Sequence, residues 1–223
     1  TATGDSNFIS WLLGDNVYSQ LIVSYDGFQS NNSLGVFDSA ENHYTFVAPD
    51  SIVTDSAYFV LKVFNSEVGF LSADTTNVFK IFDQTPPSVT ITPFNDTLHI
   101  SEYNSLVVNF SSSDNILIND YLFSYSRDLV DYDTLLYIPN SFLSDSVVVL
   151  IPSGVNNSSI ISLTVKDEAG NESTAYSSIF SVSDNTPPSI SLQSVLQDTT
   201  LYIGDFYTLK WDAFDNVSVE NIN

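Results

Sequence analysis

The sequence contains no cysteine and no methionine, and only five Lys and Arg residues among 223. Without cysteine, a disulfide scaffold and a thiolate metal site are both excluded. The five basic residues face 27 acidic ones, giving a net charge of −22 and an isoelectric point near 4.1. Nucleic acid and anionic membrane surfaces are therefore poor partners, whereas divalent cations and cationic surfaces suit the chain. No uninterrupted apolar run is long enough to cross a bilayer, so membrane insertion is not expected of this segment. It also lacks an initiator Met and a charged-then-apolar leader, and so reads as a mature or excised piece of something longer.

What is present argues for a folded protein. Hydrophobic residues make up 43% of the chain, aromatics 13%, and mean hydropathy is +0.08, enough to drive core burial despite the net charge. Abundant Ser, Asn, Asp, Tyr and Phe, with so little Lys, suit an exported protein in salty or calcium-bearing surroundings. The 16 Phe and 12 Tyr exceed what two cores need, which implies that some of them mediate subunit packing.

One phrase occurs twice. Asp83-Gln-Thr-Pro-Pro-Ser-Val-Thr-Ile and Asp184-Asn-Thr-Pro-Pro-Ser-Ile-Ser-Leu place Thr85 and Thr186 101 residues apart. A second phrase, an aromatic followed after three residues by Asp-Asn, occurs three times: at Trp11 with Asp15-Asn16, Phe110 with Asp114-Asn115, and Trp211 with Asp215-Asn216. A period near one hundred residues is too long for a solenoid turn and fits one self-contained domain per unit.

Within a unit, short apolar stretches of period two alternate with Asn/Asp/Ser/Gly breaks. Tyr121, Phe123 and Tyr125 share one face of such a stretch. About seven β-branched and aromatic segments, with no convincing helical one, predict an all-β fold of tandem antiparallel β-sandwich domains. The expected division is 1–83, a sandwich lacking its first strand; 84–184, a complete sandwich; and 185–223, the opening strands of a third unit. That third portion supplies strands at 190–192, 201–203 and 207–211, and another at Val219. Trp11, Phe110 and Trp211, at matching positions, are expected to be the core aromatics of their units.

These residues resemble the immunoglobulin-like or fibronectin type III-like tandem repeats of large secreted bacterial surface proteins. The carriers are Thr85-Pro86-Pro87, Gly204-Asp205 with Leu209 and Trp211, Asp114-Asn115, Tyr125-Ser126, and the hairpin Asp167-Glu-Ala-Gly-Asn171. The resemblance spans essentially the whole chain and specifies fold far better than function. The first unit departs from it where Asn65-Ser-Glu-Val-Gly-Phe70 replaces the acidic Ala-Gly-Asn hairpin. It implies an extracellular, cell-surface location.

Catalytic chemistry finds little material. His43 and His99 are the only near-neutral bases, they fall in strand-like contexts of different units, and no nucleophile-elbow pattern accompanies them, so no enzymatic activity is expected. Calcium is the stronger chemical expectation. In a sandwich of the resembled type the incoming linker, the loop after the second strand and the last hairpin lie at one end. Asp83, Asp114, Asn115 and Asp167 should then approach one another as hard oxygen ligands for an interdomain Ca²⁺, with Asp184, Asp215 and Asn216 as the equivalent set one repeat later. The competing reading is that Asp and Asn simply favour turns by bonding their own backbone. Asn-x-Ser/Thr triplets arise readily in so Ser- and Asn-rich a chain, and their number alone does not mark glycosylation.

The functional expectation is a non-enzymatic extracellular structural protein, a rod or filament of repeats forming a surface fibre or adhesin stalk. Its partners are other copies of itself or adjacent repeats of a longer chain. The unit without a first strand and the tail with opening strands fit strand complementation between copies, or excision from an array. Spacer or glycan-binding repeats of a large secreted hydrolase, with a glycan or surface ligand, and a surface-layer lattice protein are the alternatives left open.

Overall fold

The computed structural model describes residues 6–95, 98–139, 144–193 and 200–220; the start of the first expected domain lies outside them. All regular structure there is β. The first seven strands are β1 (Ser6–Ser10), β2 (Val17–Ser24), β3 (Asn32–Phe37), β4 (His43–Val47), β5 (Thr54–Asn65), β6 (Gly69–Thr75) and β7 (Phe79–Ile81). β1 pairs with β4, while a second sheet runs β3-β2-β5-β6 with β7 also on β5. Alternation along β2 and β5 turns Leu21, Val23, Ala57 and Phe59 inward, where they meet Phe46 and Ile81 in a buried cluster. Fully burying each large apolar side chain is worth roughly 1.5–3 kcal/mol. Phe59 anchors the cluster, with its ring edge-on to Phe46 at 4.9 Å and stacked on Phe79 at 4.7 Å.

The next nine strands are β8 (Ser88–Ile91), β9 (His99–Ser101), β10 (Ser105–Ser113), β11 (Ile118–Ser126), β12 (Asp133–Pro139), β13 (Ser146–Leu150), β14 (Asn156–Asp167), β15 (Glu172–Tyr176) and β16 (Phe180–Ser183). One sheet is ordered β13-β10-β8, and the other β12-β11-β14-β16-β9 with β15 on β14. The opening segment thus serves both sheets. β8 lies on β10, and β9 runs parallel to β16 through His99↔Ser181 and Ser101↔Ser183. Phe110, Phe123, Tyr125, Ile161, Leu163 and Phe180 are buried, in keeping with the period-two reading of their strands. The Tyr125 hydroxyl, wholly buried, shares a 2.8 Å hydrogen bond with Ser159, so its polar atom is satisfied inside the core.

A last pair, β17 (Ser189–Leu192) and β18 (Trp211–Phe214), forms a two-stranded antiparallel sheet. By contacts the chain separates into two compact units. One comprises Thr1–Ser88, Ser113–Asp120 and Val165–Ser173; the other comprises Val89–Ser112, Tyr121–Thr164 and Thr174–Asn223.

Several elements differ from the sequence reading. β3, β6 and β15 carry little apolar alternation, and every residue of β6 is exposed; their pairing with longer neighbours, rather than side-chain pattern, makes them strands. Residues 201–203, 207–210 and Val219 are not in strands, having no ladder partner among the described residues. Trp211 is 47% exposed, because among the described residues no second sheet covers β18, whereas its counterpart Phe110 is 4% exposed. Trp11 is intermediate, packed against the first core and edge-on to Phe37 at 5.3 Å.

Candidate cation site and open sheet edge

Three turns assemble an acidic cluster within the first compact unit. Asp83 follows β7 and accepts the Thr85 N–H at 2.9 Å, fixing the backbone just ahead of Pro86 and Pro87. Asp114 ends the β10 turn and accepts the Ile116 N–H through Oδ2 at 2.9 Å. Asp167 closes β14 and accepts two N–H groups through Oδ1, from Gly170 at 2.6 Å and Asn171 at 2.7 Å. The hairpin needs Gly170, whose φ of +98° disfavours any side chain. The Glu168 N–H bonds the Leu117 carbonyl at 3.0 Å, and the Asn115 amide donates to the Asp50 carbonyl at 2.7 Å and to Asp83 Oδ1 at 3.2 Å.

The result is that carboxylate oxygens of Asp83, Asp114 and Asp167 all lie within 4.8 Å of one another. Asp83 is 4% exposed and Asp167 1%. Like charges at that spacing repel by roughly 3 kcal/mol per pair at an effective dielectric near 20. Asp114 Oδ1 and Asn115 Oδ1 are buried and have no hydrogen-bond partner among the described residues. A hard cation would satisfy both conditions. The donors are oxygen only, of mixed carboxylate and amide type, which fits Ca²⁺ with its variable coordination.

The repeat counterparts are arranged differently. Asp184 accepts the Thr186 N–H at 2.9 Å, and Asp215 Oδ2 accepts those of Val217 and Ser218, each at 3.1 Å. Asp215 Oδ1 is buried without a partner among the described residues. Asn216 turns to Glu102, donating to its two oxygens at 2.8 and 3.0 Å. Glu102 is wholly buried and also accepts the Thr186 hydroxyl and the Gly154 N–H, the latter at 2.6 Å. Those bonds, Thr186 first and Gly154 next, stabilise the carboxylate and hold its pKa at about 2. Among the described residues, Asp83, Asp114 and Asp167 are the one group of three carboxylates in ligand range. Glu102 was missed in the sequence because it belongs to neither repeated phrase.

His43 is exposed on β4 and stacks on Phe8 at 5.2 Å, while His99 on β9 hydrogen-bonds Ser181 on the exposed side of β16. The two histidines lie in different sheets.

The first sandwich also has an open side. Among the described residues β1 pairs only with β4, and β7 only with β5, so no strand occupies the places that β8 and β9 take in the second sandwich. Two grooves of about 550 and 420 Å³ run there, sharing Ile9, Phe59 and Thr76 in their walls. Trp11 lines the larger groove and Phe79 the smaller.

No family model and no curated protein matches the sequence. Solved structures similar to the chain include fibronectin(III)-like modules of CbhA from Clostridium thermocellum, at 12% identity over 82% of this chain and 88% of that one, with a TM-score of 0.36. The N-terminal four Ig domains of Dscam1 isoform 6.9 are similar at 14% identity and a TM-score of 0.38; 82% of this chain aligns with 42% of that chain. The FN1–FN3 domains of chicken CNTN1 align at 15% identity over 80% and 64%, with a TM-score of 0.30.

Proposed function

We propose that this chain is a non-enzymatic structural segment of an extracellular cell-surface protein, built of β-sandwich repeats and braced by Ca²⁺. The observation that carries the reading is the convergence of Asp83, Asp114 and Asp167, two of them buried, beside the unpartnered oxygens of Asp114 and Asn115. A net charge of −22 favours a medium that supplies divalent cations. Asp83, Asp114, Asn115 and Asp167 would hold the ion, which supplies charge neutralisation and a rigid link between three turns. Calcium would thereby stiffen the chain outside the cell and leave it loose where calcium is scarce. Assembly of such repeats into a surface fibre or adhesin stalk, by strand addition between copies, is part of the same proposal.

Calorimetric titration of the chelator-stripped chain with CaCl₂, paired with thermal unfolding in CaCl₂ and in EDTA, tests the cation. Binding heat with a raised Tm is expected; no heat and an unchanged Tm would remove calcium from the reading. Electron microscopy of the native material tests the assembly, for which a fibre is expected and a two-dimensional lattice or dispersed monomers would count against it.

A further inference from the structure

We propose that Tyr132 and Tyr176 form an oxidative cross-linking site, at which a peroxide-driven one-electron oxidant joins the two rings as dityrosine. The pair lies apart from the acidic cluster and owes nothing to a strand added between copies.

The two rings are already neighbours. Their centroids lie 6.3 Å apart with the planes tilted by 58°. Both stand in solvent, Tyr132 at 40% exposure and Tyr176 at 56%. Each is carried on held backbone. Tyr132 follows a turn in which Asp128 accepts the N–H groups of Val130 and Asp131, each at 2.9 Å, and the Ser126 hydroxyl at 3.1 Å. Tyr176 ends β15, and the next residue, Ser177, donates its N–H to the Ile161 carbonyl at 2.8 Å while its hydroxyl accepts the Ile161 N–H at 3.0 Å.

Composition directs an oxidant to such a pair. Cysteine and methionine, which oxidise most readily, are absent, so tyrosine and tryptophan are the side chains left to react. Tyr121 and Tyr125 are buried, whereas the Tyr132 and Tyr176 rings are open to a small oxidant. Desolvation raises the Tyr132 phenol above its ordinary value, and Tyr176 and Asp128 add to the rise, which brings three polar groups into one region. The Asp128 carboxylate is thereby placed to draw on the phenol proton as the electron leaves.

The chemistry balances with hydrogen peroxide as the oxidant and a haem peroxidase as its catalyst. Each phenol loses one electron and one proton and becomes a phenoxyl radical, whose unpaired spin is shared with the ring carbons ortho to oxygen. The two radicals couple through one new carbon–carbon bond between ortho positions. The hydrogens on those carbons move to the oxygens, which restores two phenols. The two electrons and two protons released reduce one peroxide to two waters.

The position of the pair gives the bond a mechanical effect. Tyr132 directly precedes β12 and Tyr176 lies on β15, and β11 and β14 separate those strands in the sheet, so no ladder joins them among the described residues. A covalent bond would tie them and close the chain from 132 to 176 into a ring. Closing a long loop restricts the unfolded chain, the part a disulfide plays where cysteine is present.

The test treats the full chain, kept dilute, with hydrogen peroxide and a haem peroxidase. The expected product is a monomer lighter by two hydrogens, with dityrosine fluorescence and a cross-linked peptide that maps to residues 132 and 176. Its denaturant midpoint should lie above that of the untreated chain. Tyr132→Phe and Tyr176→Phe keep a ring at each position without the phenol, so each should fold as the wild type by circular dichroism yet lose the intramolecular product and the midpoint shift. Cross-links that map to other tyrosines, or that form only between chains, would overturn the site. An unshifted midpoint in a product mapped to 132 and 176 would keep the bond and overturn its role as a staple.

Discussion

Asn115 donates its side-chain amide to Asp83 at 3.2 Å, whereas Asn216, the same position one repeat later, donates to Glu102. The two Asp-Asn phrases therefore solve one problem, anchoring a loop to a carboxylate, with different chemistry. At Asp83 two further carboxylates crowd the acceptor, and a cation is the natural counterweight. At Glu102 the neutral donors of Asn216, Thr186 and Gly154 already stabilise the charge. Four predictions follow from this contrast and from the packing around it.

Asp114→Asn removes one negative charge while leaving an oxygen able to accept the Ile116 N–H, and its amide nitrogen takes the place of an oxygen without a hydrogen-bond partner among the described residues. At a calcium concentration one hundred times Kd the wild-type chain should gain about 2.7 kcal/mol of stability. The variant should lose most of that gain, yet in EDTA it should equal or exceed the wild type, because like-charge repulsion is relieved. Denaturant unfolding with and without calcium reads both signs, and a variant weaker in EDTA would contradict the repulsion argument.

Glu102→Gln should destabilise the chain at neutral pH and matter less in acid. The carboxyl titrates near 2 when folded against an ordinary value of 4.5, so its contribution is fully present above about 4.5 and fades as pH falls towards about 2. Urea unfolding at pH 7, 4 and 3 should show the gap between wild type and variant narrowing with each step. A constant gap would mean that the glutamate acts by shape alone.

Phe123→Ala deletes a wholly buried ring edge-on to Phe110 at 5.4 Å, and should cost about 3–5 kcal/mol. Val148→Ala, on a side chain 61% exposed, should stay within about 0.5 kcal/mol. Parallel denaturation curves for the two variants check the inside and outside assignments of β11 and β13.

Phe64 and Phe70 meet edge-on at 5.7 Å across β5 and β6, whereas Lys166 and Glu172 form a 3.1 Å ion pair between β14 and β15. Both Lys166 and Glu172 are substantially exposed, so Lys166→Ala should cost less than about 1 kcal/mol and nothing measurable in molar salt. Phe70→Ala should keep its cost in salt, since ring packing is not screened. Stability measured at low and high salt separates the two.

Much of the fold could be read in the residues because burial has a period. Tyr121, Phe123 and Tyr125 alternate with smaller or less buried neighbours and point inward, and the one-face pattern of β14 carries Ile161 and Leu163 into the core. β3, β6 and β15 escaped, because an edge strand is defined by its partner's hydrogen bonds and not by its own side chains. Asp83, Asp114 and Asp167 were nameable because each sits in a recognisable turn. Glu102 was not, for eight residues ahead of the aligned aromatic it has Thr3 and Ile203 as counterparts, and no repeat marked it.

The sequence by itself determined the all-β class, the period near one hundred residues and the acidic character, since alternation, turn residues and charge are local properties of the chain. It took the tertiary structure to bring Asp83, Asp114 and Asp167 together, to set Asn216 on Glu102, and to end β1 at Ser10 beside a groove. Those are relations between segments far apart in the chain, set by strand pairing and by which neighbours are present to cover a side chain.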